Sequence, residues 1–210
     1  VHGVDLNPFA VAIARFRLMV AALQACEETS LEDAPGFTFH LAAGDSLLHG
    51  DHQLHMQFDG FDADSQLSGF AYDTEDLEAL RRILTPGRYD VVVGNPPYIT
   101  VKDLRLKARY RELYSSCKGT YALSVPFMER FFQLAKRPSD DRPAGWAGQI
   151  TSNSFMKREF GSKLVEDFLT AQDLRLVIDS EGAWIPGHNA DGTPTVILVG
   201  LPGAARSSSV

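Results

Sequence analysis

The sequence predicts an α/β protein built on a doubly wound sheet, a fold whose ligands sit beyond the carboxyl ends of the strands. Three observations lead there. Short apolar runs of strand length alternate with stretches of helical periodicity along most of the chain. One of those runs, Tyr89 to Gly94, is rich in valine, as expected at the centre of a parallel sheet. Three predicted strands end in polar residues, Asp5, Asp45 and Asn95, which places polar chemistry along one sheet edge.

The elements follow in order. Residues 1–5 read as a buried strand ending on Asp5. Asn7 is a good N-cap and Pro8 a good first helical residue. Phe9, Ala12, Ile13, Phe16, Val20 and Leu23 then repeat at helical spacing to about residue 25. Phe37 to Ala42 alternates like a strand and runs into Gly44-Asp45. Asp73 is the expected cap of a helix from Thr74 to Leu84, with Glu75 and Asp76 in its first turn, and Pro86-Gly87 ends it. After the Tyr89–Gly94 strand come a basic helix over 101–114, a second helix over about 121–136 and a polar loop over 137–145. A strand from Trp146 to Thr151, a helix from about 157 to 170, and strands at Leu174–Asp179 and Thr195–Leu201 complete the pattern.

At 210 residues the chain is long enough for one domain with a substantial core. Residues 1–202 are expected to form it, with an irregular insertion at about 49–72 and a disordered tail at 203–210. No apolar run approaches the ~20 residues of a bilayer span, and no signal peptide is visible, so no membrane role is expected. Cys26 and Cys117 match no metal or disulfide spacing, which makes the cytoplasm the expected compartment. His49, His52 and His55 lie in the insertion without helical register and read as surface loop, with no metal site expected.

The net charge of −7 argues against a free-standing nucleic-acid binder. From Tyr98 to Lys118, however, Lys102, Arg105, Lys107, Arg109, Arg111 and Lys118 stand against Asp103 and Glu112, a local excess of +4. A solvated helix face and a phosphate-contacting surface are both open readings of that segment.

Asn95-Pro96-Pro97-Tyr98 has a chemical logic of its own. An exocyclic aromatic amine is a poor nucleophile because its lone pair is delocalised into the ring. The carboxamide oxygen of Asn95 can accept one N–H and the carbonyl of Pro96 the other. Both bonds favour a pyramidal nitrogen with a localised lone pair, which is preorganised electrostatic catalysis. Neither acceptor titrates, so no Asp or His base is required. The prolines fix the backbone and offer no competing N–H. Tyr98 can stack on a base, an interaction worth ~1–3 kcal/mol. An acidic residue ending a strand can accept from ribose hydroxyls, a role that Asp5 fits, and Asp45 can accept from an adenine amine.

Taken together, Asp5-Leu6-Asn7-Pro8, Gly44-Asp45 and Asn95-Pro96-Pro97-Tyr98 resemble motifs II, III and IV of the gamma-class adenine-N6 DNA methyltransferases. Residues 121–136, 148–155, 174–179 and 193–198 resemble motifs V to VIII, so the likeness covers nearly the whole chain. Ile185-Pro186-Gly187-His188 with Gly192-Thr193-Pro194-Thr195 is similar to the PglX methyltransferases of phage-growth-limitation (BREX) defence systems. The resemblance implies a Rossmann-like sheet, S-adenosyl-L-methionine as cofactor, and double-stranded DNA and other defence-system proteins as partners. It implies that Asp5, Leu6, Asp45, Ser46 and Asn95 contact the cofactor. Asn95, Pro96, Pro97 and Tyr98 would be catalytic, with Tyr98, Trp184, Lys102, Arg105 and Lys107 on the DNA. The family's glycine-rich motif I is expected before residue 1 and a target-recognition domain after residue 210. A sheet truncated at its N-terminal strand is therefore expected, and the fragment alone is expected to methylate nothing measurable.

Two other readings stay open. Protein-glutamine N5-methyltransferases also use Asn-Pro-Pro-Tyr, because a carboxamide nitrogen poses the same problem of a delocalised lone pair. A non-catalytic subunit that binds DNA or partner proteins in a defence complex is the second.

Overall fold

The computed structural model describes residues 1–27, 32, 35–49, 76–181 and 194–203. Trp184, His52, His55, Asp73, nearly all of the expected insertion and residues 204–210 lie outside the described residues. The chain divides into two compact units, Val1–Thr85 and Pro86–Val210, and is a mixed α/β structure.

In the first unit, β1 (His2–Asp5) and β2 (His40–Ala43) form a two-stranded parallel sheet with Asp5 paired to Ala43. Between them runs α1 (Pro8–Ala25). It starts as the sequence predicts: the Asn7 side chain accepts from the Phe9 N–H at 2.9 Å and Pro8 occupies the first turn. β2 begins three residues later than the alternation suggests. It pairs only where β1 runs alongside, from His2 opposite His40, and the Phe37 and Phe39 rings stack on each other instead. α2 (Leu77–Ile83) is capped by Asp76, whose carboxylate accepts from the Ala79 N–H at 2.9 Å. Asp76 is therefore the cap itself, where the sequence had placed it in the first turn.

α1 has 18 residues with mean hydropathy 1.4, long and apolar enough by length and composition alone to cross a membrane, though not an uninterrupted apolar run. Two arginines, Arg15 and Arg17, sit at its middle, where a bilayer would penalise them. Arg15 donates to the Leu41 carbonyl on β2 at 3.4 Å.

The second unit holds β3 (Val91–Gly94), α3 (Leu104–Leu113), α4 (Ser124–Leu134), β4 (Trp146–Ser152), α5 (Ser154–Lys157), β5 (Asp173–Asp179) and β6 (Thr195–Leu201). Its sheet has the order β3-β4-β6-β5. β3 and β4 are parallel, while β6 is antiparallel to both β4 and β5. β3, β4 and β5 therefore end at one edge, and β6 begins there. β3, expected at a sheet centre, is an edge strand of this sheet. No described strand of the unit pairs with its other side, and Val91 and Val93 are 60% and 74% exposed.

α4 covers one face of this sheet. Phe131 lies over Gly94, and Phe132 lies by Gly200 and meets Phe168 edge-to-face with ring centroids 5.8 Å apart. Val125, Met128, Tyr114, Tyr121 and Leu164 form the adjoining core. On the opposite face, Val93, Gly148 and Val199 adjoin one another, and Leu176 and Ile178 are nearly half exposed. The helix expected over 157–170 is broken into α5, a 3-10 turn at Glu159–Gly161, a π-helical stretch at Lys163–Phe168 and a further 3-10 turn at Leu169–Ala171. α5 ends at Arg158, whose backbone is extended (φ −124°, ψ 148°), and at Gly161 the backbone passes so close to Phe155 that an added Cβ would stand 1.9 Å from the Phe155 carbonyl oxygen.

Candidate active site

Asn95 follows β3 directly and is exposed at the carboxyl edge of the sheet. Pro96 is buried, Pro97 exposed and Tyr98 half-buried. Two contacts seat the motif. The Phe131 ring packs where a Gly94 side chain would be, since a Cβ there would lie 2.4 Å from Phe131 Cζ. Beyond Tyr98, the Leu123 N–H donates to the Ile99 carbonyl at 2.8 Å, and Thr100 bridges to Ala122. The loop is thus pinned to the start of α4 while Asn95 faces outward. The Tyr98 hydroxyl donates to Asn95 Oδ1 at 3.1 Å, and burial raises the Tyr98 pKa above its ordinary value.

In the first unit, Asp5 and Asp45 lie at the carboxyl edge of the β1–β2 pair. Each is also a local turn-former. Asp5 Oδ1 accepts from the Asn7 N–H at 2.7 Å. Asp45 Oδ1 accepts from the Leu47 and Leu48 N–H groups at 2.8 and 3.3 Å. Leu6 is 55% exposed and Ser46 half-buried. His49, read from sequence as surface loop, is buried at 6% exposure.

The basic segment folds more tightly on itself than its composition implies. Lys107 donates to Thr120 Oγ1 at 3.2 Å and lies over the Tyr121 ring. Arg109 pairs with Glu112 at 2.8 Å. Arg111 donates to the Gly119 carbonyl and also lies over Tyr121. Lys118 reaches Ser162 and Glu159. Lys102, Arg105 and Arg111 are exposed, and Asp103, between the first two, caps α3.

The sequence reading missed a clamp at the same edge of the second unit. Asn153, just past β4, is buried. Its side-chain NH2 donates to both carboxylate oxygens of Asp179, at the end of β5, at 2.9 and 3.1 Å. These strands are not neighbours, because β6 runs between them. The Asn153 backbone N–H also donates to the Pro194 carbonyl at 3.0 Å, and Ser180 bonds Thr195 through backbone and hydroxyl. The signal was a polar residue closing a strand, the same one that singled out Asp5, Asp45 and Asn95.

The Glu181 N–H and the Asn153 side chain hold the Asp179 carboxyl below its ordinary pKa. A carboxyl depressed in the folded state contributes stability above its unfolded pKa of ~3.9 and loses it as pH falls through the folded value. Asn153→Ala is therefore expected to lower the unfolding temperature at pH 7, with a gap from wild type that narrows below about pH 4. Thermal unfolding at both pH values checks this; a gap of constant size would contradict it.

Comparison with known proteins bears on this arrangement. Residues 1–184 match the model of the Eco57I restriction-modification methylase family. The chain is 57% identical over 206 residues to the adenine-specific methyltransferase PglX of Streptomyces coelicolor, covering 95% of this chain and 17% of that protein. It is 30% identical over 95 residues to the type II methyltransferase M.BstVI of Geobacillus stearothermophilus, covering 44% of this chain and 16% of that one. It is 26% identical over 177 residues to the type II restriction enzyme and methyltransferase RM.Eco57I of Escherichia coli, covering 78% and 15%. The chain thus spans about a sixth of the length of each of these relatives.

Proposed function

The chain belongs to the Eco57I restriction-modification methylase family, and from that membership we propose that it carries the catalytic residues of a site-specific DNA methyltransferase acting on N6 of adenine in a phage-defence or restriction-modification system. The observation that carries the reading is the exposed carboxamide of Asn95 at the carboxyl end of β3, followed by a buried Pro96 and a half-buried Tyr98. The likeness to a protein named as an adenine-specific methyltransferase supports adenine as the target, and the proposal takes double-stranded DNA as the substrate, defence as the setting, further defence proteins as partners and the cytoplasm as the site of action.

S-adenosyl-L-methionine, when bound, supplies a methyl group on a sulfonium centre that is open to attack by a nitrogen lone pair. The donor groups fit this cofactor. Asp5 spends Oδ1 on its own turn and keeps Oδ2 for ribose hydroxyls, with Leu6 beside it. Asp45 and Ser46 would hold the adenine end. The whole chain reads as most of a Rossmann-like catalytic domain, residues 1–202, with the doubly wound sheet of that class.

The chain's own residues do the rest. Asn95 Oδ1 and the Pro96 carbonyl accept the two N–H bonds of the target amine and localise its lone pair. Pro97 keeps the backbone rigid without offering a donor. Tyr98 stacks on a base turned out of the duplex, with Trp184 assigned to its other face. Lys102, Arg105 and Lys107 are assigned to phosphates, and Lys107 also donates to Thr120.

The test is transfer of labelled methyl by the intact natural protein, offered duplex DNA or a glutamine-containing release-factor peptide. Label in N6-methyladenine is the expected result. Label in the peptide and not in DNA, or in neither, overturns the proposal.

A further inference from the structure

A cleft lies at the amino edge of the second unit's sheet, the length of β3 away from Asn95. It runs between the turn at Gly87 and the segment carrying Lys136, Arg137, Ser139 and Arg142, and its volume is about 350 Å³. That is within the range of small-ligand sites.

The backbone around it is well tied. The N–H groups of Gly87, Arg88 and Tyr89 donate to the Gln133 and Leu134 carbonyls at 2.8, 3.0 and 3.1 Å. These carbonyls of the last turn of α4 are thereby satisfied, which blunts the negative helix end beside the cleft. Ser139 and Arg142 exchange N–H to carbonyl bonds in both directions, at 3.0 and 3.3 Å, and so hold a narrow hairpin on the other side.

Charge then decides what the cleft can take. Lys136 is paired with Asp90 at 2.5 Å. Arg137 and Arg142 are exposed, and neither guanidinium is ion-paired or hydrogen-bonded to another described residue. No described carboxylate lines the cleft. Asp140, Asp141 and Asp173 line a neighbouring one that shares Arg142, and Asp173 is held by Arg175 at 2.6 Å. Two guanidinium forks therefore face one concave space. A carboxylate has two oxygens and is filled by a single fork, whereas a phosphate offers enough acceptors for both. No aromatic ring lines the cleft, so a nucleobase would find nothing to stack on and the phosphate itself is what is recognised.

We propose that this cleft is a phosphate-binding site, in which Arg137 and Arg142 take the phosphate oxygens and the Ser139 hydroxyl adds a further donor. It is separate from the methyltransferase reading and does not depend on it. The phosphate comes from a free ligand or from a nucleic-acid backbone, and the chemistry is the same.

The test compares the intact protein with Arg137→Ala/Arg142→Ala and with a control, Arg158→Ala/Lys163→Ala, which removes two exposed charges elsewhere in the unit. Each is titrated calorimetrically at low salt with pyrophosphate and with a duplex of unrelated sequence. Pyrophosphate should bind wild type and control alike and the arginine variant at least about tenfold more weakly. A matching loss for the duplex, with the slope of log affinity against log salt falling by about 1–2, assigns the site to DNA backbone. Unchanged duplex affinity assigns it to a free phosphate ligand. Both arginines are exposed, so the unfolding midpoint should be that of wild type; where alanine lowers it, Arg137→Gln/Arg142→Gln is read instead. Equal pyrophosphate binding by variant and wild type overturns the proposal. So does an equal loss in the control, which would mean that net charge alone matters, and so does a wild type that binds no pyrophosphate.

Discussion

Replacing Asn95 by alanine is expected to cut methyl transfer to adenine by about 10²–10³-fold in kcat, while the protein stays folded and binds its cofactor nearly as well. The size follows from what the side chain does. It offers a preorganised acceptor to a group whose charge distribution changes only as the new bond forms, and removing such a group costs about 3 kcal/mol of transition-state stabilisation. The fold should survive because Asn95 is exposed, whereas the seat of the motif is made by Pro96, Gly94 against Phe131 and the Ile99–Leu123 bond. Single-turnover transfer together with cofactor titration checks both halves. Transfer at the wild-type rate would remove Asn95 from the chemistry.

Gly161→Ala is expected to have the largest effect on folding, a loss of about 3 kcal/mol. The added methyl would stand 1.9 Å from the Phe155 carbonyl oxygen and 2.6 Å from its carbon, so backbone and not a side-chain tip must move. That backbone belongs to α5, directly after the Asn153 clamp, and Phe155 is itself buried at 3% exposure. Soluble yield and the unfolding midpoint should both fall. Gly36→Ala is the control: nothing lies within 4 Å of its Cβ position, and a change within about 0.5 kcal/mol is expected there. Equal behaviour of the two variants would contradict the account.

Gly161 also shows where the sequence stops being legible. Helical spacing over 157–170 was read as one helix, and a glycine inside that pattern was the available sign of a break. The backbone turns extended at Arg158 and then meets Phe155 at Gly161, a contact six residues back that spacing does not encode. Local chemistry was legible. Asn7 and Pro8 start α1 as expected, and Thr195–Leu201 is the observed β6, because capping and β-branched runs act within a few residues. Partnership across the chain was not. Strand order put β3 at an edge and inserted β6 between β4 and β5, so Asn153 and Asp179, 26 residues apart in sequence, gave no sign of meeting.

For the site, the motif at Asn95 to Tyr98 was legible because its chemistry is contiguous in sequence. The cations of 102–118 were legible only as charge. Whether an ammonium or guanidinium faces solvent or a neighbouring carbonyl depends on the turn at 114–120, which folds Lys107 and Arg111 onto Tyr121.

The face of the β3-β4-β6-β5 sheet opposite α4 bears on how the 210-residue polypeptide behaves at the bench. Valines exposed to 60% and 74% on the edge strand β3, on the same face as half-exposed Leu176 and Ile178, amount to a greasy plate beside an edge that no described strand of the unit pairs. Surfaces of that kind collect one another in water. The purified polypeptide is expected to elute early and broadly on gel filtration, to brighten anilinonaphthalene dyes while still showing native-like circular dichroism, and to become monodisperse when mild detergent is added.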